Sequence, residues 1–207
     1  MSLHLLLKGL TIGFSIAAPV GPIGLLCIRR AVAEGQRVGF ICGLGAATAD
    51  AVYAFIGGFA MTALARRLVQ EQRWFGLAGG LFLIYLGIRT IAAEQAGEPA
   101  AASGRGAMSA YGSTLLLTLA NPMTIMSFAA VFAGLGIAAA ANYWAAATLV
   151  GGVFAGSALW WLLLADIAGR ARRHIGVGTM QAVNRLCGLL IAAFGCYAIA
   201  NAARAIA

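Results

Sequence analysis

Ala18-Pro19-Val20-Gly21-Pro22 and Ala120-Asn121-Pro122-Met123-Thr124 each interrupt a long apolar stretch with proline, and the lone acid Asp50 lies in the apolar segment between them. Proline lacks an N–H and its ring clashes with the carbonyl four residues back, so Pro19, Pro22 and Pro122 would free the carbonyls of Ser15, Ala18 and Thr118. In lipid such groups must find partners, and broken backbone is tolerated where it packs in protein or lines a wet cavity. Paired breaks around a buried acid therefore predict a solute path.

Composition agrees. Of 207 residues, 62% are hydrophobic and 10% charged, with a mean hydropathy of +0.91; a soluble domain carries about 25% charge. Span-length runs cover Gly9 to Ile28, Val38 to Ala65 interrupted by Asp50, Trp74 to Ile88 continuing past Arg89, and Leu186 to Ala203. No charge occurs between Gly106 and Ala165, room for two spans with a break near Asn142-Tyr143-Trp144. The expectation is an all-α polytopic membrane protein of six transmembrane helices, with an uncleaved first helix. The net charge of +8 reads as topology rather than nucleic-acid binding. Nine of the 14 basic residues (Arg29, Arg30, Arg37, Arg89, Arg105, Arg170, Arg172, Arg173 and Arg185) flank the loops after spans one, three and five. Lys8, Arg66, Arg67, Arg73 and Arg204 fall on the other side, so the positive-inside rule puts both termini outside, with Arg66, Arg67 and Arg73 pulling the other way.

Internal repetition sharpens the architecture. Gly80-Leu81 with Gly87 recurs 108 residues later as Gly188-Leu189 with Gly195, and Gly43 and Tyr53 fall on Gly151 and Trp161 at the same offset. Gly21-Pro22 falls on Asn121-Pro122 at an offset of 100. Two halves of three helices each, about 1–93 and 113–207 joined by a flexible linker 94–112, must enter the membrane from opposite sides, giving inverted repeats suited to alternating access. The glycine pairs Gly9 with Gly13, Gly39 with Gly43, Gly76 with Gly80, and Gly152 with Gly156 predict tight helix contacts, within the chain or between copies in a homo-oligomer.

The candidate substrate site follows from the breaks. A half-helix beginning at Pro22 would point unsatisfied N–H groups at a carboxylate, and Pro122 could do the same from the other half. Asn121 adds an amide and Thr124 a hydroxyl. Asp50 could hold a substrate ammonium or exchange a proton against substrate, and Tyr53 falls on the same helix face. The plainer reading of Asp50 is a hydrogen-bonded staple between helices, and that of the prolines is kinks for packing. Asp166 and Arg170 read as a helix-end ion pair, and at least one of Trp160 and Trp161 as packing.

Other chemistries find less provision. Cys27, Cys42, Cys187 and Cys196 show no paired motif and read as inert apolar fillers, which weighs against a thiol relay. His4 and His174 have no partner acid, and Ser15 no nucleophile motif, so no enzyme, cofactor or resident metal is expected.

The segments Ala18-Pro19-Val20-Gly21-Pro22-Ile23-Gly24, Gly43 to Asp50, and Asn121-Pro122 resemble the motifs of the LysE family of amino-acid exporters over nearly the whole chain. The resemblance implies that Pro19, Gly21, Pro22, Asp50, Asn121 and Pro122 line the translocation site. Where many relatives carry lysine or another polar residue after Asn-Pro, this chain has Met123. The function expected is export of an amino acid or similar small zwitterion across the bacterial inner membrane, driven by proton exchange. A heavy-metal or other cation exporter is the alternative, since the resemblance extends to cadmium-resistance proteins.

Overall fold

In the computed structural model each proline break separates two helices, because proline, having no N–H to give, is accommodated at the first position of a new helix. Residues 2–19, 21–58, 71–92, 104–134, 143–171 and 177–204 are described, and all regular structure among them is helical. The helices are α1 (Ser2–Ala17), α2 (Pro22–Ala33), α3 (Gln36–Gly58), α4 (Gln72–Ile91), α5 (Gly104–Leu119), α6 (Pro122–Gly134), α7 (Tyr143–Ala171) and α8 (Val177–Arg204). Arg66, Arg67, Arg172, Arg173, His174, the Asn142 end of the expected break and the 94–103 part of the expected linker lie outside the described residues. α5 begins at Gly104, inside the stretch read as linker.

By length and composition three described segments can cross a membrane, Gln36–Gly57, Tyr143–Ala171 and Arg185–Ala203. Leu3–Ala17 with Pro22–Ala33 makes a fourth if counted as one broken span, bent by 84°. The apolar part of α4, Trp74–Ile88, is shorter. α5 and α6, 16 and 13 residues long, flank the second break.

Local chemistry sets the joints. Gly21 is extended (φ −112°, ψ −162°) and caps α2, with Pro22 first in the helix. Gly35, at φ 103°, takes the left-handed conformation that reverses the chain between α2 and α3. At the second break Asn121 caps α6: its Oδ1 accepts the Met123 N–H at 3.1 Å, and its carbonyl accepts those of Thr124 and Ile125.

Packing is dominated by glycine faces. Gly9 and Gly13 on α1 meet Gly152 and Gly156 on α7 so closely that a Cβ at Gly13 would overlap the Val153 carbonyl, and one at Gly156 the Leu10 carbonyl. Gly45 of α3 receives the α5 backbone at Tyr111 in the same manner. α4 and α8 run against each other with Gly80 facing Gly195 and Gly87 facing Gly188. Gly39 packs on Ala31 and Gly43 on Trp161. All four glycine pairs read from the sequence thus contribute at least one residue to a contact inside the chain. Gln36 donates to Asp166 at 3.1 Å, and Asp166 pairs with Arg170 at 2.8 Å, so the α2–α3 turn lies beside the C-terminal end of α7.

Candidate functional site

Both breaks open into one cavity of about 550 Å³. Pro19, Gly21, Pro22, Asp50, Asn121, Pro122 and Thr124 line it, seven residues singled out from the sequence and drawn from α2, α3, α6 and the two breaks. Its remaining polar groups come from Thr118, Ser127, Trp161, Tyr197 and Asn201. No lysine, arginine or histidine is among the described lining residues, so Asp50 contributes the charge of the wall.

Asp50 is 3% exposed. Its Oδ2 accepts the Ser157 hydroxyl at 2.7 Å, and Ser157 Oγ accepts the Trp161 indole N–H at 3.1 Å. The three residues join α3 to α7 because Gly43, without a side chain, lets Trp161 lie against α3. One carboxylate oxygen is thus oriented from behind, which holds the group at the cavity wall at the cost of burying it. Asp50 is therefore both a staple between helices and part of the cavity. Trp161 does the packing expected of one member of its pair; Trp160 meets Phe14 edge-on at 5.4 Å.

Tyr53 is not among the lining residues. Its hydroxyl donates to the Leu119 carbonyl at 2.5 Å, and its ring lies against Phe128 with centroids 5.7 Å apart. It satisfies a carbonyl that the Pro122 break leaves without a helical donor. Tyr53→Phe is expected to lower stability by about 1 kcal/mol, read from thermal unfolding in detergent. The neighbouring Thr118 carbonyl is taken by the Asn121 N–H at 3.2 Å.

The two helix starts differ chemically. Gly21 offers no capping side chain, so the Ile23 and Gly24 N–H groups at the head of α2, both residues lining the cavity, receive no side-chain cap. On α6 the Met123 N–H is already bonded to Asn121. An anionic group would find amides without a side-chain cap at α2, where the helix dipole also favours it.

Ser157, Trp161, Tyr197 and Asn201 were not singled out as site residues. The signal for the first two was their i, i+4 spacing inside an uncharged run, which puts two hydrogen-bonding side chains on one helix face. The cysteine reading is corrected in one respect: Cys27 and Cys42, on different helices, lie with sulfurs 3.0 Å apart.

Comparison with known proteins bears on the whole chain. It is 27% identical over 202 residues to the Bacillus subtilis (strain 168) protein named "Putative amino acid efflux protein YcgF", covering 94% of this chain and 95% of that one. It is 24% identical over 193 residues to the uncharacterized membrane protein YahN of Escherichia coli (strain K12), with 89% and 85% covered. The chemotactic transduction protein ChpE of Pseudomonas aeruginosa is 26% identical over 201 residues, with 91% and 94% covered. No solved structure gives a significant match. The LysE type translocator family profile matches residues 14–202, and the chain belongs to that family of membrane translocators.

Proposed function

We propose that this protein is a secondary transporter that exports an amino acid or related small zwitterion from the cytoplasm in exchange for protons. The observation that carries the reading is the single cavity into which both proline breaks and Asp50 converge. Asp50 meets the substrate ammonium or the exchanged proton, and the amides at the head of α2, which no side chain caps, meet the carboxylate. Pro19, Gly21, Pro22, Asn121, Pro122 and Thr124 shape the wall. Tyr53 supports it from behind. The residues have transport roles, with no reaction chemistry assigned to them.

We read the chain as six spans in two inverted three-helix halves, about 1–93 and 104–207, the second half taken from the start of α5 at Gly104 in place of 113, lying in the cell inner membrane, with α1–α2 and α5–α6 as the broken first span of each half. The packing supports this. α1 lies on α7 while α5 lies on α3, an exchange of partners that a two-fold relation between halves requires. Gly80 with Gly195 and Gly87 with Gly188 interchange under the 108-residue offset. Rocking of the halves about the cavity would give alternating access.

The test is efflux from cells preloaded with a panel of labelled amino acids, with and without a protonophore. Specific efflux that collapses with the gradient is expected. Retention of every amino acid tested would remove the substrate class. Asn121→Ala, which uncaps α6 beside the cavity, is expected to raise the half-saturation concentration for export about fivefold, in line with one lost hydrogen bond. Cation export is the weaker reading: among the described residues no group of three His, Cys, Asp or Glu side chains comes together, and one carboxylate is poor provision for a divalent ion.

A further inference from the structure

The cavity ends where α2, α3 and α5 converge. Its lining reaches Gly24 on α2, Ala46 on α3 and Leu117 on α5. About one helical turn further along each helix come Cys27, Cys42 and Thr114, all at most 3% exposed. Cys42 Sγ lies 2.9 Å from Thr114 Oγ1 and 3.0 Å from Cys27 Sγ, so the three side chains form a plug.

Arg30 holds this plug from the far side. Its Nη1 donates to the Ala110 carbonyl at 2.9 Å, its Nη2 donates to the Ser113 hydroxyl at 3.1 Å, and Nη1 lies 3.5 Å from Cys42 Sγ. The two α5 partners are 80 and 83 residues away in sequence, so these bonds cross from one half of the chain to the other. The described residues place no carboxylate within ion-pair distance of this half-buried guanidinium. Neutral acceptors suit a contact that must open: two bonds from a charged donor hold the closed form, and their loss leaves no orphaned counter-charge in the interior.

We propose that Arg30 is a gating residue, whose bonds to Ala110 and Ser113 close one end of the translocation cavity and must break for the cavity to open there. The proposal rests on the alternating-access reading above. On the charge distribution read from the sequence the closed end is the cytoplasmic one, since Arg29, Arg30 and Arg37 flank the adjoining turn.

The native cysteines report on the gate. Cys27 and Cys42 are buried in the plug, and the same thiols in the SDS-unfolded protein give the reference rate. The full-length protein in lipid nanodiscs is treated with N-ethylmaleimide, and each cysteine's alkylation rate is followed by peptide mass spectrometry. In the unaltered protein the plug thiols react far more slowly than in the unfolded reference. Arg30→Gln is expected to raise the Cys42 and Cys27 rates about tenfold or more at an unchanged rate in the unfolded reference. Arg30→Lys, which keeps the charge but cannot span both acceptors, falls between. Ser113→Ala removes one bond without touching the charge and shifts the rates the same way by a smaller factor, which keeps the test decisive if Arg30→Gln folds poorly. Plug thiols that react in the unaltered protein as fast as in the unfolded reference, or rates unmoved by Ser113→Ala and Arg30→Lys, would overturn the proposal. Absence of amino-acid efflux would strike the transport reading alone, because the alkylation result requires no substrate.

Discussion

Asp50→Asn is expected to bring gradient-driven amino-acid efflux down to the background of cells lacking the protein, at unchanged protein level. The substitution is nearly isosteric and leaves an amide oxygen that can accept the Ser157 hydroxyl now held at 2.7 Å, so the link from α3 to α7 survives. What disappears is the negative charge and the ability to take up a proton. Losing one member of a desolvated charge pair costs about 2–5 kcal/mol, which is roughly 30-fold to more than 1,000-fold in affinity. If Asp50 only joined helices, Asn would do the same work and efflux would persist. Transport assayed beside a thermal melt of the purified variant separates the two roles: full efflux at unchanged stability removes Asp50 from the translocation path.

The second large effect is on folding. Gly13→Ala and Gly156→Ala should each cost about 3 kcal/mol, because the added methyl overlaps backbone carbonyls, of Val153 and Leu10 respectively, that no rotamer change can move away. Ser, the next smallest residue, would fare no better. Gly151→Ala is the control on α7, one position from Gly152: a Cβ there meets nothing within 4 Å. Its helix propensity is better than that of glycine, so no loss is expected. Yield after detergent extraction and the unfolding midpoint read the contrast. Equal behaviour of the three variants would mean that α1 and α7 do not meet at their glycines.

The helix breaks were legible in the sequence because proline acts through its own backbone, whatever surrounds it. Gly21-Pro22 and Asn121-Pro122 therefore fell at helix starts as local chemistry demands. Glycine pairs were legible for a related reason: small residues four apart form a groove on any helix, and each expected pair takes part in a contact. The partner of each groove was not readable, since nothing in Gly9 and Gly13 names Gly152 and Gly156. The same limit hid Ser157 behind Asp50, 107 residues away. It also hid Tyr53 bonding to Leu119 in place of facing the cavity, because a face shared with Asp50 leaves open which neighbour the longer side chain reaches. Arg30 was counted among the loop charges, as its position near the end of α2 suggests, and its inward hydrogen bonds depend on where α5 lies. The cysteines were judged by spacing along the chain. Spacing carries no information about two helices that turn back on each other through Gly35.

The crossed packing of α1 on α7 and α5 on α3 has a consequence for biosynthesis. When the first three hydrophobic segments have left the ribosome, the glycine groove of α1 has no protein surface to close on, because its partner begins at Tyr143. At about 5–20 residues per second, that wait lasts on the order of ten seconds. Through that interval the nascent chain must rely on lipid or insertion machinery to cover a groove shaped for another helix. Fragments separated between α4 and α5 are expected to persist only when both are made in the same cell, because α1 packs on α7 and α3 on α5.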